Sequence, residues 1–165
     1  MIPQVVANLL LVLAILYQLQ PLEKPVEPMP QAMTAQAVLE PSEDMVEMLA
    51  CLIYQEAGGD ECSDKCRIDV ADVALNRVAD PRFPDTLYEV LTAPKQYGRW
   101  HTTGIVWPER ASNPNEAAAV ERAYDIARRV LSGEHGELYG QGYVWQAEFV
   151  QGTEGFWLDG MYFAK

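Results

Sequence analysis

"LYGQGYVWQAEFVQGTEGFWLDGMYF", residues 138–163, decides the fold class. Aromatic residues crowd it and glycine recurs at positions 140, 142, 152, 155 and 160, while no apolar spacing of three or four runs through it. A stretch of this kind predicts two or three antiparallel strands joined by glycine turns. The residues before it carry helical periodicity instead. Helices first and strands last is the order of an α+β domain, without the alternation that builds a parallel sheet.

Working back from that stretch, Asn113, Pro114 and Glu116 predict a helix start: an N-cap, a proline at the first helical position and a capping box. The apolar stripe that follows, Ala117, Val120, Tyr124, Ala127 and Leu131, stops at Gly133. Asp85 predicts the cap of a short helix over "TLYEVL". A longer helix is expected across "DKCRIDVADVALNRVAD", with Val70, Ala71, Ala74, Leu75 and Val78 on one face and Pro81 beyond its end. The first helix of the domain is expected to begin at Ser42, which follows Pro41 and precedes Glu43 and Asp44. Within it Met45, Leu49, Leu52 and Glu56 fall at helical spacings, so the carboxylate of "CLIYQEAGG" (51–59) lies on the apolar stripe. Gly58 and Gly59 predict a left-handed C-cap.

The chain of 165 residues divides into three parts. Residues 1–19 contain "VVANLLLVLAILYQL", an almost wholly apolar run that predicts an export signal peptide or membrane anchor. Residues 20–41 are rich in proline and predict a semi-extended linker. Residues 42–165 make the folded domain. The expected location is therefore the cell envelope, with the protein secreted or membrane-anchored.

A net charge of −12 argues against nucleic acid as a partner, because phosphate binding requires a basic footprint. Cys51, Cys62 and Cys66 are too few for a disulfide scaffold. Cys62 and Cys66 lack the spacing of a zinc ribbon, and only His101 and His135 offer imidazoles, so neither metal nor cofactor is expected. In an exported chain a loop disulfide between two of the three is preferred to a zinc site. Nucleophile elbows, phosphate loops and H-E-x-x-H are absent from the sequence.

A glutamate on an apolar helix face loses hydration, which suits a general acid that must protonate a leaving oxygen. The simpler reading is a carboxylate that snorkels at the helix end or pairs with Arg77 or Arg99. The neighbouring motifs favour chemistry. "IYQEAGG", "DVALNRVADPRFPDTLYEVL" and "KQYG", in that order and spacing, resemble the catalytic domain of the SleB-type cell-wall hydrolases. The likeness runs from about residue 46 to the C-terminus.

The resemblance implies a lysozyme-like α+β domain with a small antiparallel sheet toward the C-terminus, cutting peptidoglycan glycan strands between N-acetylmuramic acid and N-acetylglucosamine. Its Y-x-E-A glutamate falls on Glu56 as the catalytic group, and the asparagine of L-N-R-V falls on Asn76. The glutamine of its Q-Y motif falls on Gln96, beside Tyr97. Around the acid, Asn76 and Gln96 are expected to hydrogen-bond sugar substituents, with Tyr97, Tyr143 and Trp145 as stacking surfaces. Asn76 bracing its helix, and Tyr143 and Trp145 packing in the core, are the structural alternatives.

A single carboxylate fits a lytic transglycosylase, since ordinary glycosidases need two. Hydrolysis would require a partner such as Glu89, Glu148 or Asp159. Met161 stands where family members often carry a histidine, which supports a rival reading as a non-catalytic peptidoglycan-binding or envelope scaffold module. The expected partners are glycan strands and, through residues 1–19, the membrane. The sequence leaves the oligomeric state open.

Overall fold

The computed structural model describes residues 41–165, so the expected anchor and nearly all of the expected linker lie outside the described residues. The order of elements is α1 (Glu43–Ala57), α2 (Asp64–Ala79), α3 (Leu87–Thr92), α4 (Trp100–Thr103), 3-10 turns at Glu109–Ser112 and Pro114–Glu116, α5 (Ala117–Leu131), then β1 (Trp145–Ala147), β2 (Gly155–Leu158) and β3 (Met161–Ala164). This is the α+β order expected. Among the described residues no helix is long and apolar enough to cross a membrane.

Capping sets the helix starts. Ser42 Oγ accepts from the Met45 amide and Ser63 Oγ from the Cys66 amide, each satisfying an orphan donor of a first turn. The short helix α3 is capped by Thr86 rather than Asp85: the Thr86 hydroxyl accepts from the Glu89 amide and donates to the Glu89 carboxylate. Asn113 caps a 3-10 turn that leads into α5, and Glu116 does not close a capping box. The buried line of α5 is Ala123, Ile126, Ala127 and Val130, with Val120, Tyr124 and Leu131 only partly covered.

α1 packs on α5 and α2, and α2 also meets α3, α5 and β1. Leu49, Leu52, Ile53, Val70, Val73, Ile126 and Val130 are fully enclosed where these helices meet. Burial of each such side chain stabilises the fold by roughly 1.5–3 kcal/mol. All three cysteines are buried free thiols, so the disulfide expected from the sequence is not formed.

The sheet runs β1-β3-β2 with both pairings antiparallel. Asp159 and Gly160, both with positive φ, make the two-residue turn between β2 and β3 that suits the twist of a hairpin. The turn places the Asp159 carboxylate on the start of α2, where it accepts from the Ser63 amide at 2.8 Å and from the Ser63 hydroxyl. These bonds hold the Asp159 carboxyl below the usual carboxylate range. Phe163 and Met161 on β3 close the core from the sheet side.

Candidate active site

An open cavity of about 340 Å³ lies at the C-terminal end of α1, lined by Tyr54, Gln55, Glu56, Gly58, Gly59, Glu61, Arg110, Glu116 and Glu148. Glu56 is half-buried in its wall. The side-chain amide of Gln55 donates to Glu56 Oε1 at 2.9 Å, which holds the carboxyl from one side. Arg110, the one cation among the lining residues, donates to the carbonyls of Tyr54 and Gln55 at 3.4 Å each. Those carbonyls belong to the last turn of α1, whose acceptors lack helical partners. The same guanidinium lies 5.1 Å from the Tyr54 ring centroid.

The two glycines that follow Glu56 answer to space, Gly58 against backbone and Gly59 against a side-chain end, and not to a left-handed cap at Gly58. Gly58 has φ −73°, an ordinary right-handed value. A Cβ on Gly58 would lie 2.4 Å from the Tyr54 carbonyl oxygen, and one on Gly59 would lie 2.2 Å from a Glu61 carboxylate oxygen. The chain can therefore turn away directly beneath Glu56 and leave it open to the cavity.

The other residues expected in the site are placed as follows. Gln96 and Tyr97 sit in a turn bounded by Lys95 and Gly98, both with positive φ, a backbone that is uncommon for a residue such as lysine. Gln96 is half-buried. A Cβ on Gly98 would lie 3.7 Å from Gln55 Nε2, so this turn is brought against the residue that holds Glu56. Tyr97 is only 3% exposed, and its ring lies against Arg77 and Trp100, which leaves no face for a sugar.

Asn76 is buried, with both donors and its oxygen engaged within the fold. Its Nδ2 donates to the carbonyls of Leu138 and Tyr143 at 2.8 and 2.9 Å, and its Oδ1 accepts from the Gly140 amide at 2.8 Å. The expected substrate contact is replaced by a brace between α2 and the 138–143 loop. Tyr143 lies just before β1, which begins at Trp145. Its ring packs edge-on to Phe156 and under the Lys165 ammonium, whereas the half-buried Trp145 packs on Phe83 and Arg77. Neither lines the cavity that holds Glu56.

The structure sorts the candidate second carboxylates. Glu89 is engaged at the start of α3 and Asp159 at the start of α2, while Glu148 lines the Glu56 cavity. A family model described as cell wall hydrolase matches residues 62–159. The chain belongs to the cell wall hydrolase family. The match takes in α2 through the β2–β3 turn and begins just after α1, so Glu56 precedes it. No curated protein and no solved structure matches the chain. Membership supports peptidoglycan as the material on which this cell wall hydrolase acts, and the envelope or exterior as the place.

Sequence reasoning missed Glu61, Arg110 and Glu116. Glu116 Oε2 accepts from Tyr54 Oη at 2.8 Å across 62 positions, and burial together with this bond raises the Tyr54 phenol above its usual value. Its place three residues after Asn113 gave a local reading that concealed the distant one. Among the described residues no group of three or more His, Cys, Asp or Glu is placed to hold a metal ion.

Proposed function

We propose that the domain cleaves the bond between N-acetylmuramic acid and N-acetylglucosamine as a lytic transglycosylase, with Glu56 as general acid and then general base. The observation that carries this reading is the half-buried Glu56 carboxyl, steadied by Gln55 and opening into a polar cavity. The acid protonates the glycosidic oxygen as the anomeric bond breaks. The carboxylate left behind takes the proton of the muramic acid C6 hydroxyl as that oxygen bonds to the anomeric carbon, giving a 1,6-anhydro sugar. Gln96, on the turn that meets Gln55, is the remaining candidate for hydrogen bonding to a sugar substituent.

One observation favours a second reading. Glu148 lines the same cavity, and a second carboxylate is what a hydrolase needs to activate water or to attack the sugar. Digestion of purified sacculi by the full chain, followed by mass analysis of the soluble muropeptides, separates the two. Anhydro products lost in Glu56→Gln and kept in Glu148→Gln are the expected result. Reducing-end products lost in both variants would select hydrolysis, and products unchanged by Glu56→Gln would sink both. We also propose that residues 1–19 export or anchor the protein through the 20–41 linker. Fusion of residues 1–41 to a periplasm-dependent reporter tests this, and a silent reporter refutes it.

A further inference from the structure

Arg77 is 3% exposed, yet among the described residues no carboxylate pairs with it. Its Nε donates to the Val144 carbonyl at 2.6 Å, and its guanidinium lies 5.6, 5.0 and 5.7 Å from the ring centroids of Phe83, Tyr97 and Trp145. Two buried polar atoms here, Arg77 Nη1 and Tyr97 Oη, make no hydrogen bond of ordinary length among the described residues, although the guanidinium is near enough to pull on the phenol. Buried polar atoms left unpaired destabilise a fold, so a pair of them side by side calls for a reason outside packing. Phenylalanine would fill the place of Tyr97 without that cost.

The turn that carries Tyr97 also meets the residue that holds Glu56. That turn is held in shape by the positive-φ residues Lys95 and Gly98, and it meets Gln55, which donates to Glu56. We propose that Arg77 and Tyr97 serve the acid: the buried guanidinium fixes the phenol ring, and the Tyr97 hydroxyl donates to the Glu56 carboxylate after that acid has given up its proton. This rests on the Glu56 reading above.

The step is balanced without any change at Tyr97. Glu56 passes its proton to the glycosidic oxygen, the carbon–oxygen bond breaks and the carboxylate remains. The phenol donates a hydrogen bond to it and keeps its own proton. Burial first, and then the negative charge of Glu56, push the Tyr97 phenol up to about 12 against the opposing pull of Arg77, so it is a donor throughout the working range. A donor of this kind favours the charged product of the first proton transfer over the neutral starting acid, which is where stabilisation raises kcat.

The test is steady-state digestion of sacculi by the full chain, with thermal midpoints measured alongside. Because Tyr97 Oη makes no hydrogen bond of ordinary length among the described residues, Tyr97→Phe is expected to keep the wild-type midpoint and KM while kcat falls about ten- to a hundredfold. Arg77→Lys, which keeps a cation beside the ring, is expected to retain more kcat than Arg77→Met; equal loss in both overturns the part given to Arg77. Wild-type kcat in Tyr97→Phe, with Glu56→Gln inactive, overturns this inference and leaves the acid standing. Activity in Glu56→Gln overturns the acid and this inference together.

Discussion

Replacing Asn76 by alanine removes three hydrogen bonds at once and leaves three backbone groups of the 138–143 loop without their partner. The Leu138 carbonyl is in a buried bond, while the Tyr143 carbonyl and the Gly140 amide are in partly buried ones. An unsatisfied buried group costs about 1–3 kcal/mol, and groups that water can reach cost about 1 kcal/mol each. The expected loss is therefore about 3–5 kcal/mol. For a domain of this size that lowers the thermal midpoint by roughly 10–20 °C. Urea unfolding followed by circular dichroism should show the midpoint falling by about 2 M. Activity per folded molecule, measured below the transition, should stay near the wild-type value because both donors of Asn76 are used within the fold and it does not line the Glu56 cavity. A stability loss under about 1 kcal/mol combined with a large fall in kcat/KM would refute the brace and return Asn76 to the substrate site.

Three further outcomes follow from the structure. Gly58→Ala should cost about 1–3 kcal/mol in urea unfolding, because its Cβ would strike the Tyr54 backbone carbonyl; Gly59→Ala should cost much less, since the obstacle is the movable end of Glu61. Burial raises the Asp69 carboxyl above the usual range, with Lys65 pulling the other way. The folded chain then keeps a proton that the unfolded chain releases, so stability falls as pH rises from about 4 toward the raised value, and Asp69→Asn should make that fall shallower. An unchanged slope of urea midpoint against pH would refute it. Burial pushes the thiols of Cys51 and Cys66 up to about 12, leaving roughly one thiolate in ten thousand at about pH 8. Alkylation of these two should be slow in the native protein and fast in urea, as read by mass spectrometry.

The parts of the fold that were legible depend on neighbours in the chain. Ser42 caps α1 because its own hydroxyl reaches the amide three residues on, and Asp159-Gly160 turns the last hairpin because those two residues tolerate positive φ. The glutamate at the end of α1 was legible for the same reason, as a break in an apolar stripe. What stayed hidden depends on distant partners. The spacing of Asn113 and Glu116 fits a capping box, but the Tyr54 hydroxyl competes for the carboxylate from 62 positions away and wins it. The motif that made Gln96 and Tyr97 candidates did not fix which way the Tyr97 ring faces. That is decided by Arg77, whose charge gathers three rings around it.

The acidity of the cavity, which at first sight suits no envelope polymer, fits the proposed reaction. Glycosidic cleavage builds positive charge on the sugar ring in an oxocarbenium-like transition state. Glu61, Glu116 and Glu148 line the space around Glu56 at the C-terminal, electronegative end of α1. Their fields favour a cation developing between them, and Glu116 is held in place beforehand by the hydroxyl of Tyr54. Arg110 offsets only part of this: it is one cation against several carboxylates, its Nη2 is turned toward the carbonyls of Tyr54 and Gln55, and its face is spread on the Tyr54 ring. In the proposed reaction the position of Glu56 at the end of its helix thus serves two ends: Gly58 and Gly59 leave space beside it for the glycan, and the helix end lowers the energy of the charge that forms in that space.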